Sequence, residues 1–335
     1  MSIYIPHNIL ITGIGGFIGS NFLLEMVKKY KSYNFIGIDI MSYCSSMKNF
    51  EEIMNYDNFI FIKTNINNLN FLNYIFKKYN IDTVIHFAAY THVDDSFGNS
   101  INFTKNNVLG THILLEVSNK NNIKRFIHVS TDEVYGNNNN NISNENTLLE
   151  PTNPYAASKA SAEHIVKSYY KSFNLPIIIT RSNNIYGPKQ YPEKVIPKFI
   201  LRLNKNLKCN IHGYGNQFRS FLFIDDLIKA FDIILHCGLI GETYNIGCEN
   251  EYSIIDVSKK LIKKIKNTEN YEEWINYVED RCFNDQRYKI SNKKIKKLGW
   301  KQEINFNQGL NKTIEWYLNN LNYWNNDTIN QIINK

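Results

Sequence analysis

The sequence is poor in residues that staple a fold together. Its five cysteines (Cys44, Cys209, Cys237, Cys248 and Cys282) are scattered, with no CxxC pair. That spacing argues against a zinc site and against a disulfide framework, and it fits a reducing compartment. No apolar run is long enough to span a bilayer, and no basic segment followed by a long apolar stretch opens the chain. A soluble, cytoplasmic protein is therefore expected. Charge of one sign is in mild excess only, with a formal net charge of +7. The lysines gather in late helical stretches, from Lys259 to Lys266 and from Lys293 to Lys297. They read as solvated helix faces rather than a nucleic-acid patch, and a modest positive field also suits an anionic small substrate. There is no internal repeat, and the asparagine run from Asn137 to Asn141 reads as an exposed loop.

What is present is a regular rhythm. With 335 residues, 43% of them hydrophobic, the chain can bury a sizeable core. Short apolar runs at Asn8–Thr12, Phe35–Asp39, Phe59–Lys63, Thr83–Phe87, Arg125–Ser130 and Pro176–Thr180 read as strands. Between them lie helical patterns at Phe17–Tyr30, Leu69–Tyr79, Phe103–Asn119 and Pro154–Phe173. Strand and helix in alternation predict an α/β fold, a Rossmann-type doubly wound parallel sheet. After Thr180 the rhythm breaks at Pro188, Pro192 and Pro197, and a smaller mixed α/β substrate-binding lobe is expected. The sheet domain takes residues 1–182 with about 218–248, where Glu242–Gly247 reads as a returning strand. The lobe takes about 183–217 with 249–330.

The first strand runs into Gly13-Ile14-Gly15-Gly16-Phe17-Ile18-Gly19. Glycines at 13, 16 and 19 allow a tight turn, close approach of backbone to a pyrophosphate, and close helix-on-strand packing. The pyrophosphate would rest where the helix N-terminus offers unpaired N–H groups. Asp39 ends the next strand, 20 residues past Gly19. A carboxylate there accepts hydrogen bonds from a ribose diol and repels a 2′-phosphate, so NAD is expected rather than NADP.

Two later strands end in chemically capable residues, Ala88-Ala89-Tyr90-Thr91-His92-Val93-Asp94 and Ser130-Thr131-Asp132-Glu133. In an open parallel sheet both segments face one crevice. Tyr155 and Lys159, at i and i+4, share a helix face. A phenol with an ordinary pKa of about 10 becomes a base at neutral pH only if positive charge supplies roughly 4 kcal/mol. Lys159 and a cationic nicotinamide are the expected sources. Adjacent Asp132 and Glu133 can serve one substrate only if the chain leaves strand geometry there. His92 is an acid–base candidate, although a structural histidine is the plainer reading.

Together the glycine turn, Ser130-Thr131 and Tyr155-x-x-x-Lys159 resemble the extended short-chain dehydrogenase/reductases. Thr131-Asp132-Glu133 is similar to the nucleoside-diphosphate-glucose 4,6-dehydratases, and the similarity covers nearly the whole chain. Tyr43-Cys44-Ser45, Ser96 to Ser100, Phe103 to Asn107 and Phe283 to Tyr288 look closest to the dehydratase domain of UDP-rhamnose synthases.

The resemblance implies that Tyr155 takes the 4-hydroxyl proton while C4 gives hydride to NAD⁺. Glu133 then removes the C5 proton, Asp132 protonates the departing 6-hydroxyl, and hydride returns to C6. NAD is thus retained and regenerated at each turnover. Phe87, Ala88, Ala89 and Asn106 would help hold it, with Asn65-Ile66 against the adenine where relatives carry Asp-Ile. Asn184 and Arg219 would hold the diphosphate, Arg281 and Arg287 the nucleotide, with His212 near the base. Thr91, Thr131, Lys194 and Val195 complete the expected substrate contacts.

The expected activity is UDP-glucose 4,6-dehydration towards rhamnose or a related deoxysugar, with dTDP-glucose as the alternative substrate. A 4-epimerase, a decarboxylase or a non-catalytic NAD-binding protein of the same fold are the rival readings. The resemblance also implies a homodimer formed through Phe103–Asn119 and Pro154–Phe173. The chain ends soon after the dehydratase-like region, so a separate downstream epimerase and reductase are expected.

Overall fold

The structure is a computed structural model that describes residues 3–137, 141–280 and 283–334. Arg281, Cys282 and the middle of the asparagine run lie outside the described residues.

The strands are β1 (Asn8–Thr12), β2 (Asn34–Asp39), β3 (Phe59–Lys63), β4 (Thr83–His86), β5 (Arg125–Thr131) and β6 (Ile177–Ser182). After them come β7 (Asn184–Tyr186), β8 (Cys209–His212), β9 (Phe218–Phe223), β10 (Thr243–Ile246), β11 (Glu251–Ser253) and β12 (Ile275–Val278). Seven form one sheet in the order β10-β6-β5-β4-β1-β2-β3, parallel throughout. The order reverses between β1 and β4, the place where a doubly wound sheet opens a crevice beyond its strand ends.

The strand sequences explain why both faces are covered. Along β1, Ile9 and Ile11 join one apolar cluster while Leu10 joins the other. Ile85 opposes Val84, Ile127 opposes Phe126, and Ile178 opposes Ile177 and Ile179 in the same way. Side chains alternate faces along a strand, so an unbroken apolar run feeds two cores at once.

The expected Glu242–Gly247 strand is present as β10, parallel to β6. Residues 218–223 do not join that sheet. They form β9 between β11 and β7, because Phe221 and Phe223 pack with Tyr186 and Phe306 rather than under the large sheet. β8 and β12 make a further parallel pair. No helix among the described residues is long and apolar enough to cross a membrane.

Two helices carry the site. Pro154–Phe173 matches its expected bounds, with Asn153 as N-cap and proline in the first turn. The expected Phe103–Asn119 helix is longer and irregular. It runs from Ser100 to Lys120 through a π-helical stretch at Thr104–Leu109. Inside that stretch Asn107 accepts the Tyr90 N–H at 2.8 Å and donates to the Tyr90 carbonyl at 3.0 Å and to Ser158 Oγ at 2.9 Å. One asparagine thus ties the loop after β4 to the helix bearing Tyr155, and a widened turn brings it there.

Candidate active site

The glycine turn is locked from both sides. A Cβ at Gly19 would sit 2.3 Å from the Gly13 carbonyl oxygen, and one at Gly13 would sit 2.7 Å from the Ala88 nitrogen. The helix Phe17–Lys29 starts at Gly16 with no capping side chain and no acid in its first turn. Its leading N–H groups are therefore left for an anion. Asp39, buried at the end of β2, accepts from the Gly15 N–H at 2.8 Å and from the Met41 N–H at 2.6 Å.

One cleft gathers Gly13, Gly16, Phe17, Ile18, Gly19, Asp39, Asn65, Ile66, Phe87, Ala88, Ala89, Asn106, Tyr155 and Lys159. Every residue named from sequence for the cofactor is thus in one place. Asn65 keeps its own loop in shape, its Oδ1 accepting the Asn67 N–H at 2.8 Å.

The deep end of the cleft holds the chemistry. β5 stops at Thr131, and Asp132–Tyr135 turns at once into a 3-10 helix. Leaving the strand lets Asp132 and Glu133 both line the cleft, as the two-acid reading requires. Burial pushes the Asp132 carboxyl up to about 7. Burial raises Glu133 as well, against the opposing charge of Arg219. Neighbouring carboxyl groups raised out of their ordinary range suit proton transfer near neutrality.

Tyr155 behaves differently from the sequence expectation. Its phenol is held well above the ordinary value, by burial first and then by Glu133, with a hydrogen bond to Thr131 opposing. Lys159 donates to the Val129 carbonyl at 2.7 Å, and burial lowers its ammonium to about 8. Desolvation outweighs the expected help from the ammonium.

A second cavity adjoins the first and shares Thr91, Glu133, Asn184 and Lys194 with it. Val195, His212 and Arg219 line it too. Lys194 donates to the Thr91 carbonyl at 2.8 Å, and His212 Nδ1 lies 3.0 Å from the Glu279 carbonyl. The Arg219 guanidinium lies 4.7 Å from the centre of the Tyr288 ring. Arg287 is not brought into this cavity: its Nε donates to Glu251 at 2.8 Å, so an acid on β11 holds it aside. Arg281 lies outside the described residues. His92 faces carboxylates, with Nδ1 3.1 Å from Asp95 and Nε2 3.7 Å from Asp94.

Sequence reading missed Asn153, Asn183 and Asp285. Asn183 donates to Asp132 at 2.6 Å and Asn153 to Glu133 at 3.3 Å. Asp285 is buried at the cavity wall, accepting from Thr152 Oγ1 at 2.6 Å. Only Asn153 carried a signal, as an asparagine immediately before Pro154 at a helix start.

A sequence model of the GDP-mannose 4,6 dehydratase family matches residues 10–313. The chain belongs to that family. Within the GDP-mannose 4,6 dehydratase family it is 50% identical to a dTDP-D-glucose 4,6-dehydratase of Dictyostelium discoideum, covering 95% of this chain and 83% of that protein. It is 46% identical to a trifunctional UDP-glucose 4,6-dehydratase, 3,5-epimerase and reductase of Arabidopsis thaliana. That match takes in 96% of this chain but 48% of the plant protein, so the chain spans about half of its length. Among solved structures, dTDP-glucose 4,6-dehydratase of Bacillus anthracis in complex with NAD superposes with a TM-score of 0.89 at 38% identity. The alignment covers 96% of this chain and 99% of that one.

Proposed function

We propose that the chain is an NAD-dependent nucleoside-diphosphate-glucose 4,6-dehydratase. The observation that carries this reading is the meeting of Asp132, Glu133 and Tyr155 in one buried crevice with the glycine turn and Asp39. An epimerase of the same fold needs no elimination machinery, and a decarboxylase would set two acids against its substrate's carboxylate.

The residues fit a dinucleotide. The uncapped helix start at Gly16 suits a pyrophosphate, and the Asp39 carboxylate suits a ribose diol. NAD, when bound, would supply the acceptor for the C4 hydride, the donor of that hydride to C6, and a positive ring charge beside Tyr155. With that ring charge offsetting its burial, Tyr155 takes the proton of the 4-hydroxyl as a phenolate. The resulting 4-ketone acidifies the C5 proton, which Glu133 removes. Asp132, protonated to about pH 7, gives its proton to the 6-hydroxyl, which leaves as water, and Glu133 returns a proton to C5 as C6 is reduced. Thr131 lowers the Tyr155 pKa and so favours its phenolate. Arg219 and Lys194 place positive charge beside Glu133, where a diphosphate sugar would enter.

For the nucleotide, dTDP takes precedence over the uridine expected from sequence. The relative named for dTDP-glucose is more identical and is matched over most of its length, whereas the one named for UDP-glucose is matched over half. A homodimer belongs to the same proposal: Ile101, Leu109 and Phe173 expose apolar surface on the Ser100–Lys120 and Pro154–Phe173 helices. A cytoplasmic setting belongs to it too, with separate enzymes carrying the product on to rhamnose or a related deoxysugar.

The test mixes the protein with dTDP-glucose and, separately, UDP-glucose in deuterated water without added cofactor. Loss of water with deuterium at C5 is expected, faster for dTDP-glucose. No dehydration of either sugar after NAD⁺ is added would overturn the reading. Inversion at C4 without loss of water would favour the epimerase.

A further inference from the structure

Asp132 and Glu133 are chemically alike and adjacent, yet the dehydratase reading asks one to give a proton and the other to take one. Each carboxyl meets one asparagine. Asn183, at the exit of β6, donates from Nδ2 to Asp132 Oδ2 at 2.6 Å. Its own Oδ1 accepts the Cys248 N–H at 3.1 Å. Asn153 donates from Nδ2 to Glu133 Oε2 at 3.3 Å, while its Oδ1 accepts the Ala156 N–H at 2.8 Å as the helix N-cap.

Neither amide is free to turn over. A flip would set an NH₂ group against a backbone N–H and leave a carbonyl facing a carboxyl group. Asn183 is confined further by Gly247, where a Cβ would lie 2.3 Å from its Oδ1. We propose that Asn183 and Asn153 are positioning residues that fix which oxygen of each acid is available for proton transfer. Each amide, pinned by a backbone N–H, offers its acid a donor only.

The consequence for Asp132 is specific. Oδ2 faces a fixed amide donor and stays unprotonated, whereas Oδ1 accepts from the Thr131 hydroxyl at 3.3 Å, a group that can turn to accept instead, so the acidic proton resides on Oδ1. The Glu133 contact is longer, which leaves that carboxylate room to reach a carbon-bound proton. Each donor also lowers the pKa of the acid it touches, against the rise caused by burial. Other groups act on these acids as well. Arg219 acts on both, Lys194 and Asp285 on Glu133, Cys248 lies near Asp132, and Tyr155 and Tyr288 feel Glu133. Of these, only Cys248 is touched by the substitutions, through the N–H that Asn183 accepts.

The test uses the full-length protein with its cofactor and the sugar nucleotide that it dehydrates. Asn183→Ser removes the donor to Asp132. Asn153→Ser keeps a helix-capping hydroxyl but is too short to reach Glu133. Oxidation at C4, read by absorbance of the reduced cofactor, should stay near the wild-type rate. Water loss should fall about 10- to 100-fold, the effect of losing one hydrogen bond to a charged group.

The pH profiles separate the two residues. Without Asn183 the Asp132 pKa rises, the acid stays protonated longer, and the alkaline limb of water loss moves up. Without Asn153 the Glu133 pKa rises, the base stays protonated longer, and the acidic limb moves up. Equal losses in oxidation and water loss with both limbs unmoved would overturn the proposal. If Asn183→Ser does not fold, the Asn153→Ser profile decides alone. If the wild-type protein forms no 4-keto product, the dehydratase reading fails rather than this one.

Discussion

Arg181 and Glu163 form an ion pair sealed from solvent, with Nη2 to Oε2 at 2.6 Å and Nε to Oε1 at 3.0 Å. Glu163 lies one helical turn beyond Lys159, and Arg181 lies on β6 two residues before Asn183. The same guanidinium donates to the Tyr135 hydroxyl at 2.7 Å, which in turn donates to Asn245 at 2.7 Å. The pair therefore ties the helix bearing Tyr155 to the turn bearing both acids.

Removing one partner should be far worse than removing both. Arg181→Met leaves the buried carboxylate with only the half-buried Lys167 Nζ, 3.8 Å away, as counter-charge, and should lower stability by about 3 kcal/mol. Adding Glu163→Leu should recover most of that loss, since the orphaned charge is gone. Urea unfolding with an unchanged slope measures both. A double variant no more stable than Arg181→Met would refute the argument.

Asp132 should make stability depend on pH. Its folded pKa of about 7 lies above the ordinary carboxylate value near 4, so the folded protein binds the extra proton. This contribution is complete below about pH 4 and is lost as pH rises through about 7. Asp132→Asn carries no such loss. Relative to wild type, the variant should gain up to about 4 kcal/mol between pH 4 and pH 8. Denaturation midpoints at both pH values check this, and a difference that does not change with pH would contradict it.

Glu133→Gln should separate the half-reactions. The amide cannot accept the C5 proton, so dehydration should fall by about 10²- to 10⁴-fold. Oxidation at C4 depends on Tyr155 and should persist, giving a reduced cofactor that is not reoxidised. Rapid mixing with single-turnover absorbance follows both phases. Dehydration at the wild-type rate would remove Glu133 from the mechanism.

What the sequence made legible is local. Unbroken apolar runs such as Ile9–Ile11 and Ile177–Ile179 identify strands covered on both faces, because alternate residues supply two separate cores. The glycine turn, Asp39, and Tyr155 with Lys159 were readable because each falls in a short motif of fixed spacing. The Asn183–Asp132 bond joins residues 51 positions apart, and the N–H that orients Asn183 is 65 positions further on. No spacing rule reaches that far. The Arg287–Glu251 contact likewise joins residues 36 positions apart. The π-helical stretch at Thr104–Leu109 follows from Asn107 reaching Tyr90 and Ser158, which periodicity does not report.

Asp39 should select the cofactor as well as shape the turn, and the two roles can be told apart. Gly15 N–H, Met41 N–H and Ser45 Oγ at 3.1 Å all donate to its carboxylate. Asp39→Asn keeps the size but sets an NH₂ group among donors, so the turn loosens and NAD binding should weaken about 10- to 100-fold. If shaping the turn were its whole role, NAD and NADP affinities would fall together. The carboxylate also repels a 2′-phosphate, and that repulsion vanishes with the charge. The ratio of NADP to NAD affinity should therefore rise at least about tenfold, even though both complexes feel the loosened turn. Titration of each dinucleotide into the cofactor-stripped variant gives the ratio. An unchanged ratio would reduce Asp39 to a scaffold, and NADP exclusion would then have to come from the crowding of the Asp39 and Ser45 side chains against Gly15.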